Sequence, residues 1–171
     1  MTKSDLPFIP EFFDRYIELT DNRELSEQLA DTRNAFEELL PRMHRLGDKV
    51  YAPGKWSAKE ILQHIIDNER IQSCRALCMA RGELQNLPGY DETSYGKASL
   101  ANRRSLEDLH EEFLQVRNCS LLLFGSMNAG MLLRTGSAGE RKLTPLALGL
   151  VLVGHQLHHM QILEQRYFPL V

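Results

Sequence analysis

Residues 144–167 read TPLALGLVLVGHQLHHMQILEQRY, and this stretch decides the fold. Thr144 is a helix-capping residue, and Pro145 follows at the first helical position, where its missing N–H is harmless. The helix then runs unbroken to about Tyr167 and is stopped by Pro169. Leu146–Val153 is apolar throughout, yet this is well short of the ~18 residues that a membrane span requires. Gly149 and Gly154 each weaken a helix by about 1 kcal/mol relative to Ala, which points to close approach of another helix or subunit.

At ~100° per residue, His159 lies about 40° around this helix from His155 and one turn along. Leu148, Val151, Leu152 and Ile162 fall within about 60° of the same line, so the two imidazoles sit inside the apolar face. Desolvated imidazoles need partners for their nitrogens. A divalent metal provides them, and so does a hydrogen-bonded His cluster near a helix end; an i,i+4 His pair serves either. His158, about 60° to the other side of His155, is an alternative partner to His159.

Three further helical segments surround this one. The first extends from a cap at Thr20 or Asp21 to about Arg45, with an apolar stripe of Leu25, Leu29, Thr32, Phe36, Leu39, Leu40 and Met43, and Gly47 as its stop. The second opens on the capping box Ser57-Ala58-Lys59-Glu60 and continues to about Arg81 before Gly82. The third starts at Ser105, with Asp108 three residues on, and ends near Gly125. Glu83 to about Arg104 forms a long connection, and Ser126–Leu143 has room for a short hairpin. Four amphipathic helices in a chain of 171 residues read as one all-α domain, a four-helix bundle over residues 1–171 with residues 1–20 packed on it.

A third ligand has to come from another helix. His44 ends the first segment, and His110 stands among Glu107, Asp108, Glu111 and Glu112 on a solvated face. His64 differs, because it lies inside Ile61-Leu62-Gln63-His64-Ile65-Ile66. An inward His on the second helix facing an inward pair on the fourth favours a ligand over a satisfied core residue. Three His ligands leave a coordination position for water or substrate, the pattern of catalytic sites.

The stretch Trp56-Ser57-Ala58-Lys59-Glu60-Ile61-Leu62-Gln63-His64-Ile65-Ile66-Asp67-Asn68-Glu69 resembles the tryptophan–serine and histidine signature of the DinB/YfiT-like superfamily. Gly154–Ile162 is similar to that family's His-rich closing element, and Arg75–Gly82 leading to Leu87–Asp91 also resembles its members. The likeness runs from about Tyr16 to Tyr167. It implies an up-down-down-up four-helix bundle and a metal triad of His64, His155 and His159, with His158 outside it. It further implies a divalent ion, often zinc or nickel, and chemistry that includes transferases and isomerases using a low-molecular-weight thiol. The family's name, taken from DNA-damage induction, does not imply DNA binding.

Around the predicted site, Asn68 is about 40° and Arg75 about 20° from the line of His64, but Arg75 is roughly 16 Å further along. Arg75 is therefore no ligand; it closes an ion pair at the bundle end or holds the anionic end of an extended substrate. Asp67 and Glu69 are placed to accept from an imidazole N–H and fix its tautomer, although carboxylates on an exposed helix face are commoner. Trp56 packs the start of its helix. Cys74 and Cys78, four apart on one helix face, read as small buried thiols in preference to metal ligands or a redox pair. Tyr90 and Tyr95 either cover the site or pack on the bundle.

Composition bounds the function. Twenty Lys and Arg against 23 Asp and Glu give a net charge of -3, without the basic field of a nucleic-acid binder. Three Cys make an odd number, which argues against a disulfide framework and for a reducing compartment. The opening MTKSDLPFIPEFFDRYIELT has acids among its apolar residues and does not read as a secretory signal. The expectation is a cytoplasmic enzyme with no membrane or nucleic-acid partner, acting on a small molecule. Its three-His divalent site would activate water or a thiol for hydrolysis or small-thiol-dependent transfer, with Asp67, Glu69 and water as candidate bases. The alternative is a non-catalytic metal-binding bundle acting through homodimerisation or partner binding, a role that glycine-bearing helix faces suit.

Overall fold

The computed structural model describes residues 1–171 and is mainly helical. Its elements are α1 (Asp14–Ile17), α2 (Leu25–Arg33), α3 (Leu40–Leu46), α4 (Ala58–Arg81), α5 (Glu92–Ala98), α6 (Leu106–Gly125), α7 (Ala129–Leu132), β1 (Gly136–Ala138), β2 (Arg141–Leu143) and α8 (Pro145–Ile162). A π-helical turn, Leu163–Tyr167, continues α8.

The three longest helices begin where their caps lie. In α4, Ser57 Oγ accepts from Glu60 N at 3.2 Å while Glu60 Oε2 accepts from Ser57 N at 2.7 Å. Gly82 ends this helix in the left-handed region, at φ 92°. Ser105 and Thr144 cap α6 and α8 through their hydroxyl oxygens.

The first expected helix is broken instead. It starts at Leu25, and it stops at Arg33, with turns until α3 begins at Leu40. Thr20 does not cap it, because its hydroxyl donates back to Ile17 O at 2.7 Å. Pro41 forces the break: it has no N–H for a bond to Glu37 and its ring clashes with that carbonyl, so it sits in the first turn of a new helix. The long connection after Gly82 contains α5, capped by Asp91, and β1 and β2 form the hairpin with Gly136 opposite Leu143.

Two separate apolar clusters fill the bundle. The first holds Leu25 and Leu29 of α2, Ala76 and Met79 of α4, Phe124 of α6 and Leu146–Leu148 of α8. The second holds Phe36, then Ile61–Leu62 and Ile65–Ile66 of α4, Leu106–Phe113 positions of α6, and Leu163 after α8. The chain thus passes from first cluster to second along α2 and α8, and from second to first along α4 and α6. This is the up-down-down-up order. Helices α6 and α8 both pack against α4 and against α2, so the ring runs α2–α6–α4–α8, with α4 parallel to α6 and α2 parallel to α8.

Between the clusters lies a layer of buried polar side chains: Gln28, His64, Asn68, Glu69, Gln72, Arg117, Ser120, His155, Gln156 and His159. An apolar bundle would not need it, and each polar group there requires a partner. The one span apolar enough to cross a membrane, Pro145–Leu170, is largely buried inside the protein, so its apolar run serves the core.

The N-terminal segment packs on this core. A Cβ at Gly154 would stand 1.9 Å from Tyr16 O, and one at Gly149 would meet Leu25 at 2.5 Å. The close approach that these glycines permit is therefore to helices of the same chain.

Candidate metal centre

His64 on α4 and His155 and His159 on α8 converge in the polar layer. His64 Nε2 is 2.9 Å from His155 Nε2, and His159 Nε2 is 3.1 Å from the same atom. One ligand atom from each ring lies within 4.8 Å of the others. Capping fixes where α4 and α8 begin, and the apolar residues on either side of each His fix which way it points.

Burial pushes the His64 ring down to about 4. His159 falls to about 3, first by burial and then through His64 and His158. His155 is driven well below the usual imidazole range by burial and its three neighbouring rings. All three rings are accordingly neutral at pH 7. Each neutral ring carries one unprotonated nitrogen, which is the form that ligates a metal.

The cluster cannot satisfy itself. Asn68 Oδ1 accepts from Gln72 Nε2 at 3.1 Å and from Tyr90 OH at 3.0 Å, so its Nδ2 faces His155 Nδ1 at 3.2 Å. His155 then carries its proton on Nε2, midway between two other Nε2 atoms, and one N–H cannot serve both well. A divalent ion at ~2.0–2.1 Å from each nitrogen wants them roughly 3.3 Å apart; two of the three pairs stand at 2.9 and 3.1 Å, and all three atoms lie within 4.8 Å of one another. The three-His cluster fits a metal site.

Other rings brace it. Trp56 packs on His64 with centroids 4.6 Å apart, and Tyr16 meets His155 edge-on at 5.1 Å. His158 is half-buried against Tyr16 and stands outside the convergence point. A cavity of 370 Å³ opens beside His155, bounded by Tyr16, Asn68, Arg75, Tyr90 and Arg141. A smaller one of 210 Å³ reaches His159 from the side of Trp56 and Tyr167.

A model of the DinB superfamily matches residues 24–163. The chain belongs to the DinB superfamily. Among solved structures, this DinB chain is similar to YfiT from Bacillus subtilis, described as a probable metal-dependent hydrolase with an unusual four-helix bundle topology. The two share 17% identity and a TM-score of 0.61 over 91% of this chain and 87% of YfiT, a likeness of fold. No curated protein matches the sequence.

Two expected supporting residues of this DinB chain do other work. Glu69 binds Arg117 through both oxygens at 2.8 Å, on the side of α4 away from the histidines. Asp67 accepts from Gln63 Nε2 at 2.9 Å, and burial raises its pKa; it makes no hydrogen bond to an imidazole. The residue that does is Asn68. Its signal was present in the spacing His64, Asn68, Gln72, Arg75, a line of polar residues at steps of four, four and three. Arg75 closes no ion pair at the bundle end; it is buried and borders the larger cavity. Tyr90 covers the site through Asn68, while Tyr95 packs on Tyr90 at 5.2 Å. Cys74 is exposed and Cys78 partly so, contrary to the reading of both as buried thiols.

Proposed function

We propose that the protein is a cytoplasmic metal-dependent enzyme in which His64, His155 and His159 hold one divalent ion, zinc or nickel. The observation that carries this reading is three buried, neutral imidazoles aimed at one point with too few protons to satisfy one another. The bound ion supplies Lewis acidity, making water or a small thiol nucleophilic near neutral pH. The residues of the chain bind, orient and shield. With Nε2 given to the ion, His155 would carry its proton on Nδ1 instead, and a turn of the Asn68 amide, now facing Nδ1 with its Nδ2, would bring its oxygen there to accept it. Trp56 and Tyr16 pack against His64 and His155 and fix the planes of those rings.

Hydrolysis and transfer to or from a low-molecular-weight thiol both suit such a site. The 370 Å³ cavity beside His155 is the size of a small-molecule pocket and supports a small-molecule substrate. Neither Asp67 nor Glu69 reaches the cluster, so a water molecule is the base this reading employs.

Elemental analysis of protein purified without a His tag tests the metal. Close to one divalent ion per chain is expected, and His64→Ala is expected to lose it. Near-zero metal after repletion, unchanged by His64→Ala, overturns the proposal. A panel of activated esters, amides and electrophile–thiol pairs, run with and without zinc or nickel, then separates hydrolysis from thiol transfer.

A further inference from the structure

Of the arginines and lysines, only Arg117 and Arg75 are buried, and their surroundings differ in kind. Arg117 pairs with a carboxylate. Arg75 is 8% exposed and has no carboxylate within salt-bridge distance. Its Nη1 donates to Gln72 Oε1 at 3.1 Å and its Nη2 to Pro88 O at 2.6 Å. Those are neutral acceptors, and they engage two of the five N–H groups that a guanidinium carries. The Tyr90 ring stands 5.7 Å from the guanidinium carbon, and burial raises the phenol's pKa, so it does not act as a counter-ion.

A buried charge without a partner is unfavourable, and a cavity wall is where it is tolerated because a ligand can supply the partner. Arg75 borders the 370 Å³ cavity that His155 also lines. Arg141 lines the same space, so a second cation faces it. The carboxylates there, Asp91 and Glu92, are exposed. Asp91 is engaged in capping α5, accepting from Thr93 N at 2.9 Å and from Ser94 Oγ at 2.7 Å. Asn68, which touches His155, and Arg75 are seven residues apart on α4, about 10 Å of helix rise.

We infer that Arg75 recognises a carboxylate, so that the substrate is a small molecule with an anionic head on Arg75 and its reacting group beside His155, roughly 10 Å away. The inference rests on the reading of the three histidines as a metal centre only for the second half of that statement. The planar guanidinium fork matches a carboxylate, and its unspent N–H groups are the donors that such a head would take.

The test uses zinc-loaded protein and two probes, the monohydroxamate of octanedioic acid and the same hydroxamate ending in a carboxamide. The hydroxamate grips the ion; the far end reports on Arg75. In wild type the carboxylate probe is expected to bind at least about tenfold more tightly, the range of a charge-assisted hydrogen bond. In Arg75→Gln the ratio is expected to fall to about one, and in Arg75→Lys, which keeps the charge and a donor for Pro88 O, to lie between. Thermal melts of both variants verify that they fold. A wild-type ratio near one overturns the assignment of Arg75 and leaves the metal reading standing. Failure of both hydroxamates to bind zinc-loaded protein overturns the metal reading instead. A metal-free arm then decides Arg75 by itself: octanedioate is expected to raise the melting temperature of wild type and not of Arg75→Gln. Equal shifts in the two proteins, or none in either, overturn it.

Discussion

Helix α4 carries two buried polar clusters on opposite sides, and they are built on opposite principles. Toward α8, His64 and Asn68 belong to a group with too few protons and no charge to bind its nitrogens together. Toward α6, Glu69 lies about 140° around from His64 and meets Arg117 in a two-point ion pair at 2.8 Å. Arg117 Nη1 also donates to Thr32 Oγ1 at 2.7 Å, and both charged residues are essentially inaccessible. The second cluster is complete in itself and therefore structural. The first is incomplete, which is what a ligand site looks like before its ligand is considered. Burial alone does not distinguish them; the state of their hydrogen bonds does.

The largest effect expected from this contrast is on stability. Glu69→Ala or Arg117→Ala leaves one charge buried and alone, and should lower the unfolding free energy by about 3–5 kcal/mol. The double substitution Glu69→Leu with Arg117→Met removes both charges and should recover most of that loss. Urea unfolding of the three variants measures it. A single-variant loss below about 1 kcal/mol would show that the pair is not the closed structural unit described here.

Acid should act on the other cluster. Its rings have pKa values depressed in the folded protein, to about 4 for His64 and about 3 for His159, against 6.5 unfolded. Below 6.5 the unfolded chain binds protons that the folded one refuses, so stability of the metal-free protein falls as pH drops and is fully present only above that value. His64 and His159 each contribute about 1 kcal/mol of loss between pH 6.5 and 5.5, and His155 adds to it in the same direction. Replacing all three with Gln should flatten the slope. If the slope persists, the titrating groups lie elsewhere.

Seating of α1 on α8 links the histidines to the N-terminal segment. Gly154→Ala drives a Cβ into Tyr16 O, a backbone atom that cannot swing away, and should cost about 1–3 kcal/mol. It should also weaken metal binding, because Tyr16 packs on His155. Gly149→Ala meets only the end of the flexible Leu25 and Phe124 side chains, so its cost should be smaller and metal binding unchanged. Melting curves and metal titrations on the two variants separate the effects.

Much of this architecture could be read from local chemistry. Ser57, Ser105 and Thr144 announce α4, α6 and α8 because a cap is a contact within three residues. The histidines were readable for the same reason, since i,i+4 spacing fixes a face. The break between α2 and α3 was also written locally, in Pro41, but the apolar stripe runs through it and hides it. The Glu69–Arg117 pair joins residues 48 apart in the chain, and no periodicity encodes such a pairing. Short elements such as α1 and α5 exist through packing against longer helices, so their own residues hardly announce them. Tyr16 enters the site from α1 and Tyr90 from the loop before α5, which is why the walls were harder to foresee than the ligands.

The smallest effect is expected at the second buried arginine, and it is the most discriminating. Arg75 and Arg117 are the same residue type at similar depth, yet only Arg117 has a carboxylate. Arg75→Met removes a desolvated charge, which favours folding, and the bonds to Gln72 Oε1 and Pro88 O, whose loss opposes it. The two terms have similar size, so the ligand-free protein should change by no more than about 1 kcal/mol, against about 3–5 kcal/mol for Arg117→Ala. A loss at Arg75 as large as that at Arg117 would mean that its main task is to hold the Pro88 loop against α4. A near-neutral result places its value outside the folded protein's own stability, in whatever anion the cavity receives.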